Sequence, residues 1–273
     1  MLKVYYIYHS CFLVEIDKRY LLFDYFDKSV VADTVSYQGG LPQLDTGKKL
    51  YVFASHSHKD HFTLEVLRWI ETNPDITDVL SKDIRLGFNY LKRNGIASDI
   101  KKHITFVSPG NKYELEEDLT VETLRSNDAG VAYFITVEGI KIYHAGDLNW
   151  WNVEGRGELY GEQYGREYRR ELRHIENKKI DLAFVVLDPR MGEDGYFLGA
   201  EEFIKSVEAD YIFPMHLWGQ YEWIERFKNR PSIVPYKERI IDIDQENMIF
   251  ELSRIIPNLY GWGFFSICDF CIS

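Results

Sequence analysis

The spacing of apolar and polar positions changes several times along the chain, and each change marks an element. Residues 2–16 are mostly apolar, and 20–23 resume the run after the polar turn Asp17-Lys18-Arg19, which predicts two strands. Residues 24–49 lose the pattern, carry Gly39-Gly40 and Pro42, and predict a loop. The short apolar run 50–54 predicts a buried strand. Leu64, Leu67 and Ile70 then recur at helical spacing within 63–71, and Asn73-Pro74 ends that helix. A second helix is expected over 81–94, stopped by Gly95. Strands are expected at 104–107, 119–124, 131–137 and 140–143, the last two joined by the turn Glu138-Gly139. Residues 152–165 are polar and glycine-rich, hence a loop, and 167–177 read as a charged helix. A buried strand at 182–187, a helix at 200–208, a strand at 211–213 and a helix at 222–229 follow. The strands 239–243 and 248–252 close the chain.

Strands come first and then alternate with helices, a pattern of mixed sheets with helices outside. No linker or repeat divides residues 1–273, so one domain is expected, with an apolar tail from about residue 255. At 45% hydrophobic and 15% aromatic residues the chain is rich enough in core formers to fold nearly throughout. The net charge of −11 repels polyanions, so the expected partner is a small molecule and not a nucleic acid. No apolar run reaches the length of a membrane helix. The apolar start runs into Glu15, Asp17, Lys18 and Arg19 without a cleavage site. Three cysteines make no disulfide framework, and a cytoplasmic location is expected. Cys268-x-x-Cys271 has metal or redox spacing, but it lacks a second pair and reads as part of the packing tail.

The chemistry concentrates in His56-x-His58-x-Asp60-His61, at the end of a predicted strand and before a helix. Imidazole and carboxylate suit zinc and similar first-row ions. Alternation along an extended segment puts His56, His58 and Asp60 on one side, while His61 turns away as the chain bends. The spacing offers His56 and His58 to one ion, and Asp60 and His61 to another. Two more strand ends contribute: His144-Ala145-Gly146-Asp147, where Asp147 can bridge two cations, and Pro214-Met215-His216.

These three segments resemble the metallo-β-lactamase superfamily of hydrolases, and Leu22-Phe23-Asp24 is similar to that family's early strand ending in Asp. Within it, the chain is most similar to small stand-alone proteins of the ascorbate-6-phosphate lactonase kind. The resemblance implies a four-layer α/β/β/α sandwich with metals at one edge. It implies His56, His58, Asp60, His61, Asp147 and His216 as ligands of one or two Zn2+ ions, and Asp24 as a carboxylate fixing a ligand imidazole. One departure stands out. The family's further histidine, before the strand at 131–137, is missing from Leu124-Arg125-Ser126-Asn127-Asp128-Ala129-Gly130. Asp128 either ligates in its place or is a turn carboxylate. A carboxylate there also shifts preference toward Mn2+.

Trp150 and Trp151 follow Asp147, and Trp218 follows His216, so they are expected to wall the site or to pack in the core. Arg190 is a candidate for a substrate carboxylate or phosphate. His9, His103, His144 and His174 read as structural or surface residues. The expected activity is hydrolysis of a small ester, lactone or phosphoester by metal-activated water, with Asp60 as the catalytic carboxylate. The alternatives are a phosphodiesterase or nuclease on the same scaffold, and a degenerate metal-binding ligand sensor.

Overall fold

In a computed structural model the chain forms two β-sheets packed face to face, and residues 2–26, 28, 37 and 40–253 are described. The apolar tail with Cys268 and Cys271 lies outside the described residues. The first sheet contains β1 (Leu2–Tyr8), β2 (Cys11–Glu15), β3 (Arg19–Phe23), β4 (Lys49–Ala54), β5 (Thr77–Ser81) and β6 (Ile104–Val107). The second contains β7 (Lys112–Glu116), β8 (Leu119–Arg125), β9 (Val131–Val137), β10 (Ile140–His144), β11 (Ile180–Val186) and β12 (Ala209–Met215). The last strand, β13 (Met248–Leu252), returns to the first sheet beside β1. The strand orders are β13-β1-β2-β3-β4-β5-β6 and β12-β11-β10-β9-β8-β7.

The inner faces meet through aromatic rings. Phe12 packs on Phe184 at 4.4 Å and Phe53 on Tyr133 at 5.3 Å between ring centres. Helices α1 (Glu65–Thr72) and α2 (Phe88–Arg93) cover the outer face of the first sheet, where Val66, Leu67, Ile70 and Leu91 join Leu22, Val52 and Leu80. Helices α3 (Glu158–Leu172) and α4 (Leu198–Ser206) cover the second through Tyr168, Leu172 and Phe203, and α5 (Glu222–Lys228) adds Ile224 and Phe227. The result is the four-layer α/β/β/α sandwich. It is tied at the end where β4 finishes, because the Tyr133 hydroxyl donates to both Ala54 O (2.8 Å) and Val79 O (3.0 Å).

Several elements differ from the sequence pattern. The first apolar run is two strands, because the chain breaks at His9-Ser10 with His9 at φ 57°. Residues 77–81 form β5 and the helix expected from residue 81 begins only at Phe88, since parallel pairing with β4 and β6 claims the start. The edge strand β7 escaped notice because it is half-exposed and polar. Helix α3 begins inside the stretch expected as a loop, where Gly161 and Gly165 lie against Asn152 and Trp150. The strand expected at 239–243 is instead a 3-10 turn, Val234–Arg239, followed by a single bridge from Ile240 to Ile212.

Candidate metal centre

Parallel strands leave their carboxyl ends on one edge of a sandwich, and that edge collects the polar groups. Asp24 follows β3, His56 to His61 follow β4, Asp147 follows β10, Asp188 follows β11 and His216 follows β12. The loop after β4 is not extended. His61 and Phe62 both donate their N–H to His58 O, so the segment coils and turns His61 back beside His56. Two glycines let other loops close on this coil. A Cβ on Gly130 (φ +65°) would sit 2.0 Å from Ser55 O, and one on Gly146 (φ +51°) 2.7 Å from Ser55 Cβ.

The imidazoles face Asp147. His56 Nε2 lies 3.2 Å from Asp147 Oδ2, while His61 Nε2 and His216 Nε2 lie 3.2 and 3.3 Å from Oδ1. His56 Nε2 is 2.8 Å from His58 Nδ1, and His58 Nδ1 is 3.8 Å from Asp147 Oδ2 and 3.9 Å from Asp128 Oδ2. Asp60 Oδ2 is 3.6 Å from His61 Nε2. His56 and His58 thus sit toward Asp147 Oδ2, and Asp60 lies with His61 and His216 instead of beside His56. Asp128 occupies the open side next to His58.

The backs of the rings are fixed by carboxylates. Asp24, fully buried, accepts from Ser55 N (2.7 Å) and Ser55 Oγ (2.8 Å) and faces His61 Nδ1 at 2.7 Å. Because the Ser55 hydroxyl donates to Asp24, its oxygen is left to accept from His56 Nδ1 at 2.9 Å. Asp188, also buried, accepts from His216 Nδ1 at 2.9 Å and is forked by Arg190 at 2.6 to 3.1 Å. A proton on Nδ1 in each ring leaves the Nε2 lone pair for a cation. Asp188 was missed by sequence reasoning. The available signal was its position, a strand-tip Asp like Asp24.

The front atoms lack partners. His61 Nε2, His216 Nε2 and Asp147 Oδ1 are buried and have no hydrogen-bond partner among the described residues. Such groups are costly unless something binds them. Ligands about 2.0–2.1 Å from a tetrahedral ion stand about 3.4 Å apart, close to the separations here. Charge agrees. Burial pushes the Asp147 carboxyl up, but His61, His216 and His56 outweigh it and hold it well below the usual range. Burial opposes the charge on His216, yet Asp147 and Asp188 raise it to about 10. The residues present therefore fit divalent cations: His58, Asp128 and Asp147 would hold a first one on the open side, Asp60, His61 and His216 would hold a second one on the buried side, and His56 lies between them with His61 and Asp147.

His9 is the departure from expectation. Read from sequence as structural or surface, it is fully buried in the cluster, with Nε2 3.4 Å from Asp60 Oδ2 and its ring 4.2 Å from that of His216. Burial lowers it to about 3, so it is neutral. His144 is buried behind the site, with Nε2 3.1 Å from Ser10 O, and His103 and His174 have no place in the cluster. Trp151 donates its Nε1–H to Asp147 O and lies 5.9 Å from the His216 ring. Trp218 packs in a tilted contact with His9, 3.8 Å between ring centres, with Arg190 at 5.2 Å over its face. Trp150 instead packs on Arg169 and Gly165 of α3. It lines a cavity of about 540 Å3 walled by Glu154, Glu158, Glu162 and Glu193, which touches none of the ligands.

A family model described as beta-lactamase superfamily domain matches residues 3–154. No curated protein matches. Solved structures share the fold. A metallo hydrolase from Ignicoccus hospitalis is 16% identical with TM-score 0.61, over 92% of this chain and 99% of that one. An isothiocyanate hydrolase from Delia radicum gut bacteria is 13% identical with TM-score 0.56, over 92% and 99%. A diiron β-hydroxylase from Streptomyces venezuelae is 14% identical with TM-score 0.57, over 92% of this chain and 54% of that one.

Proposed function

The chain belongs to the metallo-β-lactamase superfamily, and from that premise we propose that it is a metal-dependent hydrolase of a small-molecule ester, lactone or phosphoester. The observation that carries this reading is the convergence of His61 Nε2, His216 Nε2 and Asp147 Oδ1, buried and unpartnered among the described residues, on one space. When bound, divalent ions supply Lewis acidity and lower the pKa of water toward about 7.

The protein's own groups do the rest. Asp24 and Asp188 hold the ligand rings in one tautomer and one orientation. Asp60 is the catalytic carboxylate in this reading. Burial pushes it up, but the neighbouring imidazoles of His61 and His216 help hold it below the usual carboxylate range, so it orients water and relays a proton without storing it. Trp151 and Trp218 wall the space, and Arg190 leaves Nη1 for a substrate anion while Nε and Nη2 hold Asp188. Zn2+ suits the imidazoles, and the Asp128 carboxylate beside His58 favours a harder ion such as Mn2+ at the first position. Three cysteines fit a cytoplasmic setting, and no described helix is long and apolar enough to cross a membrane.

The test is hydrolysis of esters, lactones, phosphomonoesters and phosphodiesters by protein loaded with zinc or manganese. Turnover of a small ester, lactone or phosphomonoester supports the reading. Turnover of nucleic acid or phosphodiesters alone moves the assignment to a phosphodiesterase, against the net charge of −11. Tight metal binding with no turnover of any class supports a ligand sensor.

A further inference from the structure

We propose that His9 is a ligand of the second ion, joining Asp60, His61 and His216. The inference rests on the metal-centre reading above and adds a residue to it. The ligand atoms of these four side chains all lie within 4.8 Å of one another. His9 is fully buried, and neither ring nitrogen has a hydrogen-bond partner among the described residues. A core histidine serving only packing would satisfy at least one of them.

The alternative is that His9 orients Asp60 from behind, as Asp24 and Asp188 orient their histidines. The geometry separates the two roles. Asp24 and Asp188 address the outer nitrogens of His61 and His216, at Nδ1. His9 Nε2 instead approaches Asp60 Oδ2, the same oxygen that lies 3.6 Å from the inner nitrogen of His61. At 3.4 Å, Nε2 makes no hydrogen bond with that oxygen. Two groups at this spacing without a hydrogen bond are arranged as neighbours around a shared cation, where ligands stand about 3.4 Å apart.

The backbone is built to hold this ring. His9 breaks the run between β1 and β2 in the left-handed region, φ 57°, which a non-glycine residue adopts at a cost. Tyr6 Oη accepts from His9 N (2.9 Å), and His9 O accepts from His216 N (3.2 Å), so one ligand's backbone positions another's. The Trp218 ring then packs on the His9 ring in a tilted arrangement, 3.8 Å between ring centres. Asp24, His216 and Trp218 also have positive φ (45°, 71° and 52°), so four of the six such non-glycine residues among the described residues gather at this position. Strain of this kind is retained where surrounding structure enforces a functional geometry.

The experiment reads metal and needs no substrate. Metal-free protein is titrated with Co2+ alone, by calorimetry and visible absorption, for wild type, His9→Ala and His9→Gln. The second ion's affinity should fall at least about 100-fold in both variants, beyond the 10- to 100-fold typical of losing an outer partner. The first ion should be unaffected and the cobalt spectrum should change. Recovery of wild-type affinity by His9→Gln, which still donates a hydrogen bond, would overturn the proposal. In wild type loaded with cadmium, NMR with nitrogen-labelled histidine should show three rings coupled to the second ion, a result independent of whether the variants fold. Coupling from His61 and His216 alone overturns the His9 assignment and leaves the hydrolase reading intact. A wild-type protein that binds no ion overturns both.

Discussion

On one side of Asp147, His61 and His216 are almost wholly buried, at 0% and 3% side-chain exposure, and a buried carboxylate holds the outer nitrogen of each. On the other side, His58 and Asp128 are 53% and 42% exposed. His56 lies between the two, buried, and tied to Asp24 only through Ser55. The two halves face one carboxylate, Asp147, but differ in solvent access and in support. A buried position with fixed ligands loses little entropy on binding and is shielded from competing water. An open position with mobile ligands exchanges its ion. The contrast predicts one resident ion and one that comes and goes, the exchangeable one on the side where Asp128 stands beside His58.

The strongest test removes what the halves share. Asp147→Ala should eliminate both ions by elemental analysis and lower turnover beyond the 10²- to 10⁴-fold typical of losing an acid–base group. Retention of either ion at full stoichiometry would remove Asp147 as the bridge. Next is Asp60→Asn, which should lower kcat by about 10²- to 10⁴-fold with a smaller effect on KM. Excess zinc or manganese should restore only part of the loss. A normal kcat with raised KM would make Asp60 a positioning residue.

Asp24→Asn should weaken the second ion by about 10- to 100-fold in calorimetry, the usual consequence of losing an outer carboxylate. Asp128→Asn should weaken only the first ion, and by less. If the two variants weaken the same ion equally, the halves are not distinct.

The smallest expected effect uses a buried carboxylate outside the site as a control. Asp78 lies on β5, and neither oxygen has a hydrogen-bond partner among the described residues, whereas Asp24 is fully satisfied. Burial alone raises Asp78 well above the usual carboxylate range. Its folded-state pKa is therefore above its unfolded value. Its favourable contribution is complete below the unfolded pKa and is lost as pH rises toward the folded one. Asp78→Asn should stabilise the fold near about pH 8, by roughly 2–4 °C in Tm for each kcal/mol, and have less effect near about pH 4. Equal Tm differences at both pH values would show that Asp78 is not a destabilising charge.

Much of the centre is legible along the chain because its groups are crowded in sequence. Four lie within His56 to His61, and Asp147 and His216 end apolar runs that can only be buried strands. Asp24 is legible only through the resemblance of Leu22-Phe23-Asp24 to the family's early strand, and its bonds to Ser55 and His61 are not legible at all. His9 and Asp188 are hidden for different reasons. His9 sits inside an apolar run that reads as one strand, and the break is held by Tyr6, three residues back, and by the His216 backbone, about two hundred residues on. Asp188 has no local pattern around it that marks a role, and its contact with His216 spans two parallel strands. Trp150 and Trp151 are adjacent in sequence but face different neighbours, Arg169 and His216, as consecutive side chains commonly do.

The sequence alone determined that strand ends carry a metal-competent set of side chains, since residue type and apolar spacing are local properties. The order of runs also determined mixed sheets with helices outside, and the resemblance carried by the motifs added the four-layer sandwich. Which ligands share an ion, which rings are locked, and that His9 joins them were decided by tertiary structure. Those depend on contacts of a few ångströms between segments up to about two hundred residues apart, and no local pattern encodes such distances.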